Sequence, residues 1–355
     1  MMKVVVAMDS FKGSVTSSEL NQCVNNAIAS VFPSSEVCSF SIADGGEGSL
    51  EALFAALGGE YISVETVDLL LRPMEARYLR VGEQAYIESA SVVGIDKISP
   101  SPETFEQASS FGLGALLEDA LSRGCKEIFL TLGGTGSSDG GRGLLEYFNF
   151  NSNSGDYPLK AHFNQVSLIG LTDVNAVYTG DNGYAMVFGR QKGATEGQIR
   201  FEDSRAKQFA LHIKDHLQID LETIAGTGAA GGLGGALVLL GAQLLSGIET
   251  IASIVGIEEA LSIADLVITG EGHFDSQSSI GKVPSGIARL AKQYQVPTIA
   301  VCGAVSQDVE SVWDDFVSVF SIQTEVLPLP EAMKKEVTLR NLYFVIQNIL
   351  RTRFL

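Results

Sequence analysis

The residues of this chain with chemistry to offer are carboxylates and lysines set among glycines. Four stretches carry most of them: Asp9-Ser10-Phe11-Lys12-Gly13-Ser14, Ala43-Asp44-Gly45-Gly46-Glu47-Gly48, Gly133-Gly134-Thr135-Gly136-Ser137-Ser138-Asp139-Gly140-Gly141, and Gly270-Glu271-Gly272-His273-Phe274-Asp275 with Gly281-Lys282-Val283-Pro284 close behind. Glycine lets backbone approach a ligand, lysine meets phosphate as a point charge, and carboxylates can hold a hydrated magnesium ion. Phosphoryl transfer needs these parts together with a group that orients the attacking hydroxyl. One such loop is an ordinary turn; four of them suggest phosphate handling.

Three lysines, Lys12, Lys192 and Lys282, stand directly beside glycine. The carboxylate candidates are Asp44, Glu47, Asp139, Asp173, Glu271 and Asp275. Their commonplace use would be helix capping and turn stabilisation. Asp44 and Glu47 rank highest because their loop is dense in glycine, with Asp173, which follows a strand pattern. Gly281-Lys282 is followed by Val283 and lacks the earlier glycine, so it is not a P-loop. Gly226-Thr227-Gly228-Ala229-Ala230-Gly231 matches the dinucleotide fingerprint but has no clear strand before it. An NAD-dependent oxidoreductase rests on that match alone. Close helix packing explains the small residues equally well, and Gly228 is kept as a candidate phosphate contact at a helix start. Arg190 and Lys192, beside glycines, suit a substrate carboxylate or a nucleotide phosphate.

These residues need elements to hold them. Lys3 to Met8 reads as a buried strand, Ser17 or Ser18 caps a helix through Val31, and strand Glu36–Ser41 and helix Ser49–Leu57 follow. Such a βαβα start predicts a parallel sheet, whose ligands bind at the carboxyl ends of its strands. After Tyr61 come three short consecutive strands, a helix near Thr104–Arg123, strands near Glu127–Leu132 and Val166–Leu171, and a polar helix near Arg200–Leu217. From Ile257 the alternation returns, ending in helix Glu331–Arg351. The prediction is an α/β chain of two domains. One is a parallel sheet built from both chain ends, residues 1–62 and 260–355; the other is an inserted α/β domain of mixed sheet, residues 63–259. Pockets favour domain interfaces, so the site is expected in the cleft between the two.

Composition bounds the partners. A length of 355 residues suits two domains. The net charge of −18, with no basic run, argues against nucleic acid. Cys23, Cys38, Cys125 and Cys302 stand singly, which indicates reduced thiols in a cytoplasmic protein rather than disulfides or a zinc site. His212 and His216 share helical spacing without the glutamate of a metalloprotease motif. No charge falls between Glu222 and Glu249, but only Ala236–Leu245 is densely apolar. That is short of the roughly 20 residues needed to span a bilayer, so no membrane partner is expected. A homo-oligomer is compatible with the sequence.

Taken together, the stretches resemble the type I glycerate kinase family. They are Asp9–Ser14, Ala43–Gly48, Asp139-Gly140-Gly141, Asp173-Val174-Asn175, Gly180-Asp181-Asn182-Gly183, Phe188-Gly189 with Gln191–Ala194, Gly228–Gly232, and Ile268–Asp275 through to Gly281–Pro284, in family order. The resemblance implies a flavodoxin-like parallel sheet in one domain and transfer of the γ-phosphoryl of ATP to D-glycerate, with magnesium as cofactor and the 2-phosphate as the favoured product. The assigned roles follow: Lys12, Asp44 and Asp173 as catalytic candidates, with Asp44 orienting or deprotonating the hydroxyl; Ser10, Gly134, Asp139, Lys192, Gly228 and Lys282 toward the nucleotide; Glu271 and Asp275 toward magnesium. Three positions depart from the family pattern: Phe111 replaces an arginine, Ala176 begins a stretch usually Asn-Pro-Leu, and Arg190 replaces a proline. These raise the alternative of an inactive or substrate-shifted paralogue that binds a nucleotide or small hydroxy acid.

Overall fold

The computed structural model describes residues 1–42, 46, 48–150, 162–275, 282–307 and 314–354. Asp44 and Glu47 lie outside the described residues. The chain forms two compact units, one of residues 1–44, 51–57 and 248–355, the other of residues 45–50 and 58–247.

The first unit is built on a five-stranded, all-parallel sheet. Its strands, numbered along the whole chain, are β1 (Lys3–Met8), β2 (Glu36–Ser39), β9 (Leu266–Gly270), β11 (Thr298–Cys302) and β13 (Ser318–Ser321), in the order β2-β1-β9-β11-β13. Renumbered within this unit the order is 2-1-3-4-5, the flavodoxin-like arrangement. Continuous apolar runs make β1, β9 and β11, because both faces of the sheet are covered there. Val4, Val6, Met8, Leu266, Ile268, Ile299 and Val301 pack under helices Ser17–Val31 and Lys335–Phe354. Ala300 and Cys302 face the other way, against Ala288 of helix Val283–Gln293 and Phe274. Each fully buried aliphatic side chain contributes roughly 1.5–3 kcal/mol. The first helix is capped by Thr16, not by Ser17 or Ser18. Thr16 and Glu19 form a reciprocal capping box. The Ser17 hydroxyl instead donates to Met8 O at 2.6 Å, tying the helix to the end of β1.

The second unit holds the mixed sheet expected from the sequence. Strands β3 (Glu60–Val67), β4 (Pro73–Val81), β5 (Gln84–Glu88), β6 (Glu127–Thr131), β7 (Ser167–Leu171) and β8 (Gln243–Leu245) lie side by side in chain order. The first two pairings are antiparallel and the last three parallel. The helix expected over Thr104–Arg123 is two helices, Pro102–Gln107 and Leu113–Ser122. Between them Ser109 N donates to Leu69 O at 2.8 Å, and Ser110 gives both its N–H and its hydroxyl to Asp139 Oδ2, each at 2.8 Å. Partners distant in sequence outbid the helical ladder there.

The dinucleotide reading of Gly226–Gly231 fails on context. The element before it is helix Glu196–Leu217, and no strand lies between that helix and β8. The element that overlaps its end and continues through the apolar stretch is the buried helix Ala229–Leu240, broken near its start by left-handed backbone at Ala230, Gly231 and Gly232. Among the described residues no helix is long and apolar enough to cross a membrane.

Candidate active site

In the first unit, the loops after β1 and β9 meet at the point where the strand order reverses, the place where open α/β sheets bind ligands. Asp9 N donates to Gly270 O at 2.9 Å, fastening the two strand ends together. Asp9 Oδ1 accepts from Ser10 N at 2.7 Å. The chain then makes a tight turn, with Phe11 N on Val15 O and Ser14 N on Phe11 O, that leaves Lys12 exposed. Lys12 has no hydrogen-bond or ion-pair partner among the described residues. At the end of β9, a Cβ on Gly270 would lie 1.9 Å from Val301 O, so only glycine permits this approach to β11. Glu271 O and Gly272 O accept from Gly303 N and Ala304 N at 3.0 Å each, which extends the pairing as β10 (His273–Phe274) beside β12 (Ala304–Val305).

Lys282, at the start of helix Val283–Gln293, lies 3.2 Å from Glu271 Oε2 and 3.3 Å from Asp275 Oδ1. Burial pulls its ammonium down, but the two carboxylates outweigh that and hold it above the ordinary lysine range. A pocket of about 360 Å³ opens here, with Asp9, Ser10, Lys12, Glu271, His273 and Lys282 among its lining residues. Five sequence-predicted residues therefore converge: Ser10, Lys12, Glu271 and Lys282 in the wall, and Asp275 on Lys282. Among the described residues no three His, Cys, Asp or Glu side chains form a metal cage. Magnesium is commonly held by one or two carboxylates plus substrate phosphates. Two hard oxygen donors gathered around one ammonium fit that requirement.

The second unit gathers another set of the predicted residues. Asp139 accepts from Ser110 at Oδ2 and from Gly143 N, at 3.0 Å, at the same oxygen, while its Oδ1 takes Gly141 N at 2.9 Å. It is the hub of the Thr135–Gly143 segment. Lys192 is 2% exposed and donates to Ser137 O at 2.5 Å and to Thr135 Oγ1 at 3.4 Å. Gly140 N donates to Gly231 O at 2.9 Å. A Cβ on Gly231, at φ +69°, would lie 2.1 Å from Ser137 O and 2.9 Å from Lys192 Nζ. Three of the glycine-rich stretches thus pack onto one another. Gly231→Ala is expected to cost at least about 2 kcal/mol, from the left-handed backbone and the collision with a carbonyl; urea denaturation of the variant measures it.

Burial lowers the Lys192 ammonium to about 7, with Asp139 offsetting part of the shift. The unfolded lysine titrates near 10.4. Stability owed to this group is therefore complete above that value and lost as pH falls toward 7. Lys192→Met removes the dependence. The wild-type Tm should gain on the variant's between pH 7 and pH 10, read by calorimetry at both; a constant gap would contradict the shift.

Gly134 is exposed, and its carbonyl accepts from Ile95 N at 2.9 Å. Gly228 N donates to Ala176 O at 3.0 Å. Asp173, just beyond β7, accepts from the Ser246 hydroxyl at 2.7 Å. The three departures from the family pattern sit in local packing. Phe111 meets Tyr147 edge to face, Ala176 is buried, and Arg190 pairs with Glu196 on the surface at 2.5 Å.

Sequence reasoning missed several groups. Asp9 and His273 stood inside quoted motifs without being singled out. In the second unit, Glu202 Oε1 accepts from Arg142 Nη2 and from the Tyr184 hydroxyl, both at 2.6 Å, and the Tyr178 hydroxyl donates to Gly140 O at 2.6 Å. Arg142, adjoining Gly141, was the one local signal for that network.

Comparisons with known proteins place the chain in a family. The glycerate kinase family matches residues 4–156 and 151–353. The chain is 35% identical to glycerate 2-kinase of Escherichia coli (strain K12), over 94% of this chain and 93% of that one. It is 34% identical to a glycerate kinase of Halalkalibacterium halodurans, with the same two coverages. A crystal structure from Salmonella typhimurium LT2, of a protein provisionally named glycerate kinase 2, superposes with a TM-score of 0.79 at 32% identity, covering 99% of this chain and 98% of that one. Matched to that family along nearly its whole length, and to relatives more than 30% identical, the chain belongs to the glycerate kinase family.

Proposed function

We propose that this kinase transfers the γ-phosphoryl of ATP to D-glycerate, giving ADP and 2-phosphoglycerate. The observation that carries the reading is the grouping of Lys12, Lys282, Glu271 and Asp275 at the strand-order reversal of the parallel sheet. Catalysis of phosphoryl transfer is mostly positioning and electrostatic stabilisation of a charge spread over oxygens. The ammonium of Lys12, unpartnered among the described residues, is suited to that charge. Lys282, braced by two carboxylates, supplies a second cation with a fixed position. Glu271 and Asp275 would hold magnesium, which when bound neutralises phosphate charge.

The hydroxyl of the acceptor must lose a proton during transfer, and Asp44 is our candidate to orient and receive it, with Asp173 as the alternative. Ser10, in the pocket wall, offers a hydroxyl toward the nucleotide, and Gly134, in an exposed glycine loop, is a candidate backbone contact. The Gly228 N–H is already given to Ala176 O, which removes it as a donor. Asp139 and Lys192 serve the nucleotide through the loops they hold. The name of the Escherichia coli relative supports the 2-hydroxyl as the acceptor. Phosphorus NMR of the product tests this directly. A resonance coupled to a single proton indicates the 2-phosphate; coupling to a methylene pair would assign the 3-phosphate and overturn the 2-position.

A further inference from the structure

The pocket beside Lys12 and Lys282 is too large and too apolar on one side for a three-carbon hydroxy acid. At about 360 Å³ it falls in the range of roughly 300–1,000 Å³ that holds drug-sized ligands behind mainly apolar walls. Its cationic side is formed by Lys12 and Lys282. The rest of its lining includes Phe11, Ile322, Leu329, Ala332 and Met333. Phe11, Ile322 and Ala332 are buried and form a floor; Leu329, 70% exposed, stands at the rim. An exposed leucine at the mouth of an apolar recess is what a flat ring can cover.

This sleeve is fastened to the turn that carries Lys12. The Ser14 and Thr338 hydroxyls are hydrogen-bonded at 2.9 Å, and a Cβ on Gly13 would lie 3.2 Å from Met333 Cε. A molecule that is apolar and planar at one end and polyanionic at the other would fit both halves at once. Gln323, also in the lining, gives its amide N–H to Gly303 O at 2.8 Å. Its amide oxygen has no partner among the described residues and can accept from an exocyclic amine.

We propose that the sleeve of Phe11, Ile322, Leu329, Ala332 and Met333 is the nucleobase subsite, taking the aminopurine ring of the nucleotide while Lys12 and Lys282 face its phosphates. The proposal rests on the reading of the chain as an ATP-dependent kinase. Glycerate, small and polar throughout, gains nothing from such walls and leaves most of the volume empty.

Isothermal titration with ADP, adenosine and D-glycerate tests the assignment on the full-length protein. Met333→Trp fills the sleeve and should raise the Kd for ADP by about ten-fold or more. Leu329→Asp changes an exposed side chain, so it folds even if the first variant does not, and should weaken ADP in the same direction. Adenosine, which has no phosphate, should bind the wild type weakly and lose affinity in both sleeve variants but not in Lys12→Met. Wild-type Kd values for ADP in both sleeve variants would overturn the subsite and leave the kinase reading standing. A loss confined to D-glycerate would overturn it too, by giving the sleeve to the acid. Failure of the wild type to bind ADP at all would remove the kinase reading and the subsite with it.

Discussion

Lys12→Met lowers kcat/KM by roughly 10²–10³-fold, the usual loss when one preorganised charge is removed from a developing anion. The thermal midpoint stays near the wild-type value. Both halves of that expectation follow from the side chain's surroundings. Lys12 is exposed, has no partner among the described residues, and rides on a turn closed by backbone bonds between Phe11, Ser14 and Val15. Methionine therefore removes a charge without orphaning another group, and surface changes of that kind usually fall within about 0.5 kcal/mol. Lys282 offers no such clean experiment. Its removal leaves Glu271 and Asp275 repelling each other in a partly buried site, so stability and activity would fall together. Lys12→Arg should recover part of the rate, because the charge returns with a broader, differently hydrated head. Steady-state kinetics beside a melting curve decides the matter, and wild-type kcat/KM in Lys12→Met would remove this lysine from the chemistry.

Asp44→Asn is expected to cut kcat by about 10²–10⁴-fold, the range for loss of a positioned general base. Asparagine keeps the size of the side chain, but it cannot take up the hydroxyl proton. ADP affinity should persist, since the phosphate-facing lysines are untouched. Asp173→Asn is the companion variant. Its carboxylate already accepts from the Ser246 hydroxyl, and a smaller loss is expected there. A larger loss at Asp173 than at Asp44, read from single-turnover rates, would exchange the two assignments.

The parts of the fold legible in the sequence were those decided by local pattern. β1, β9 and β11 are short apolar runs buried on both faces, and such runs announce themselves. Helix Ser49–Leu57 has the bounds its sequence predicts, ending at Gly58-Gly59. Local pattern failed where a distant partner decided the outcome. Nothing near Ser109 and Ser110 says that Asp139 will break the helix there. Lys192 stands beside glycine and reads as a contact for an anionic ligand, yet a loop some fifty residues earlier closes over it.

The candidate site divides along the same line. Lys12, Glu271 and Lys282 were visible because charged residues among glycines are conspicuous next to strand ends. The apolar sleeve was not, because residues 322–338 carry only the marks of a loop and a helix start. Which of them turn toward Phe11 is fixed by the docking of the last helix on the first. Asp9 shows the intermediate case. Its motif was quoted, but its role as the link between β1 and β9 depends on strand pairing that one loop cannot reveal.

The most direct test of the account is ADP release by the purified full-length chain, supplied with ATP and magnesium, with and without D-glycerate. Release that depends on D-glycerate is expected, with one ADP formed for each phosphoglycerate. ADP release that ignores D-glycerate, or none from a folded protein that binds ATP, would contradict it.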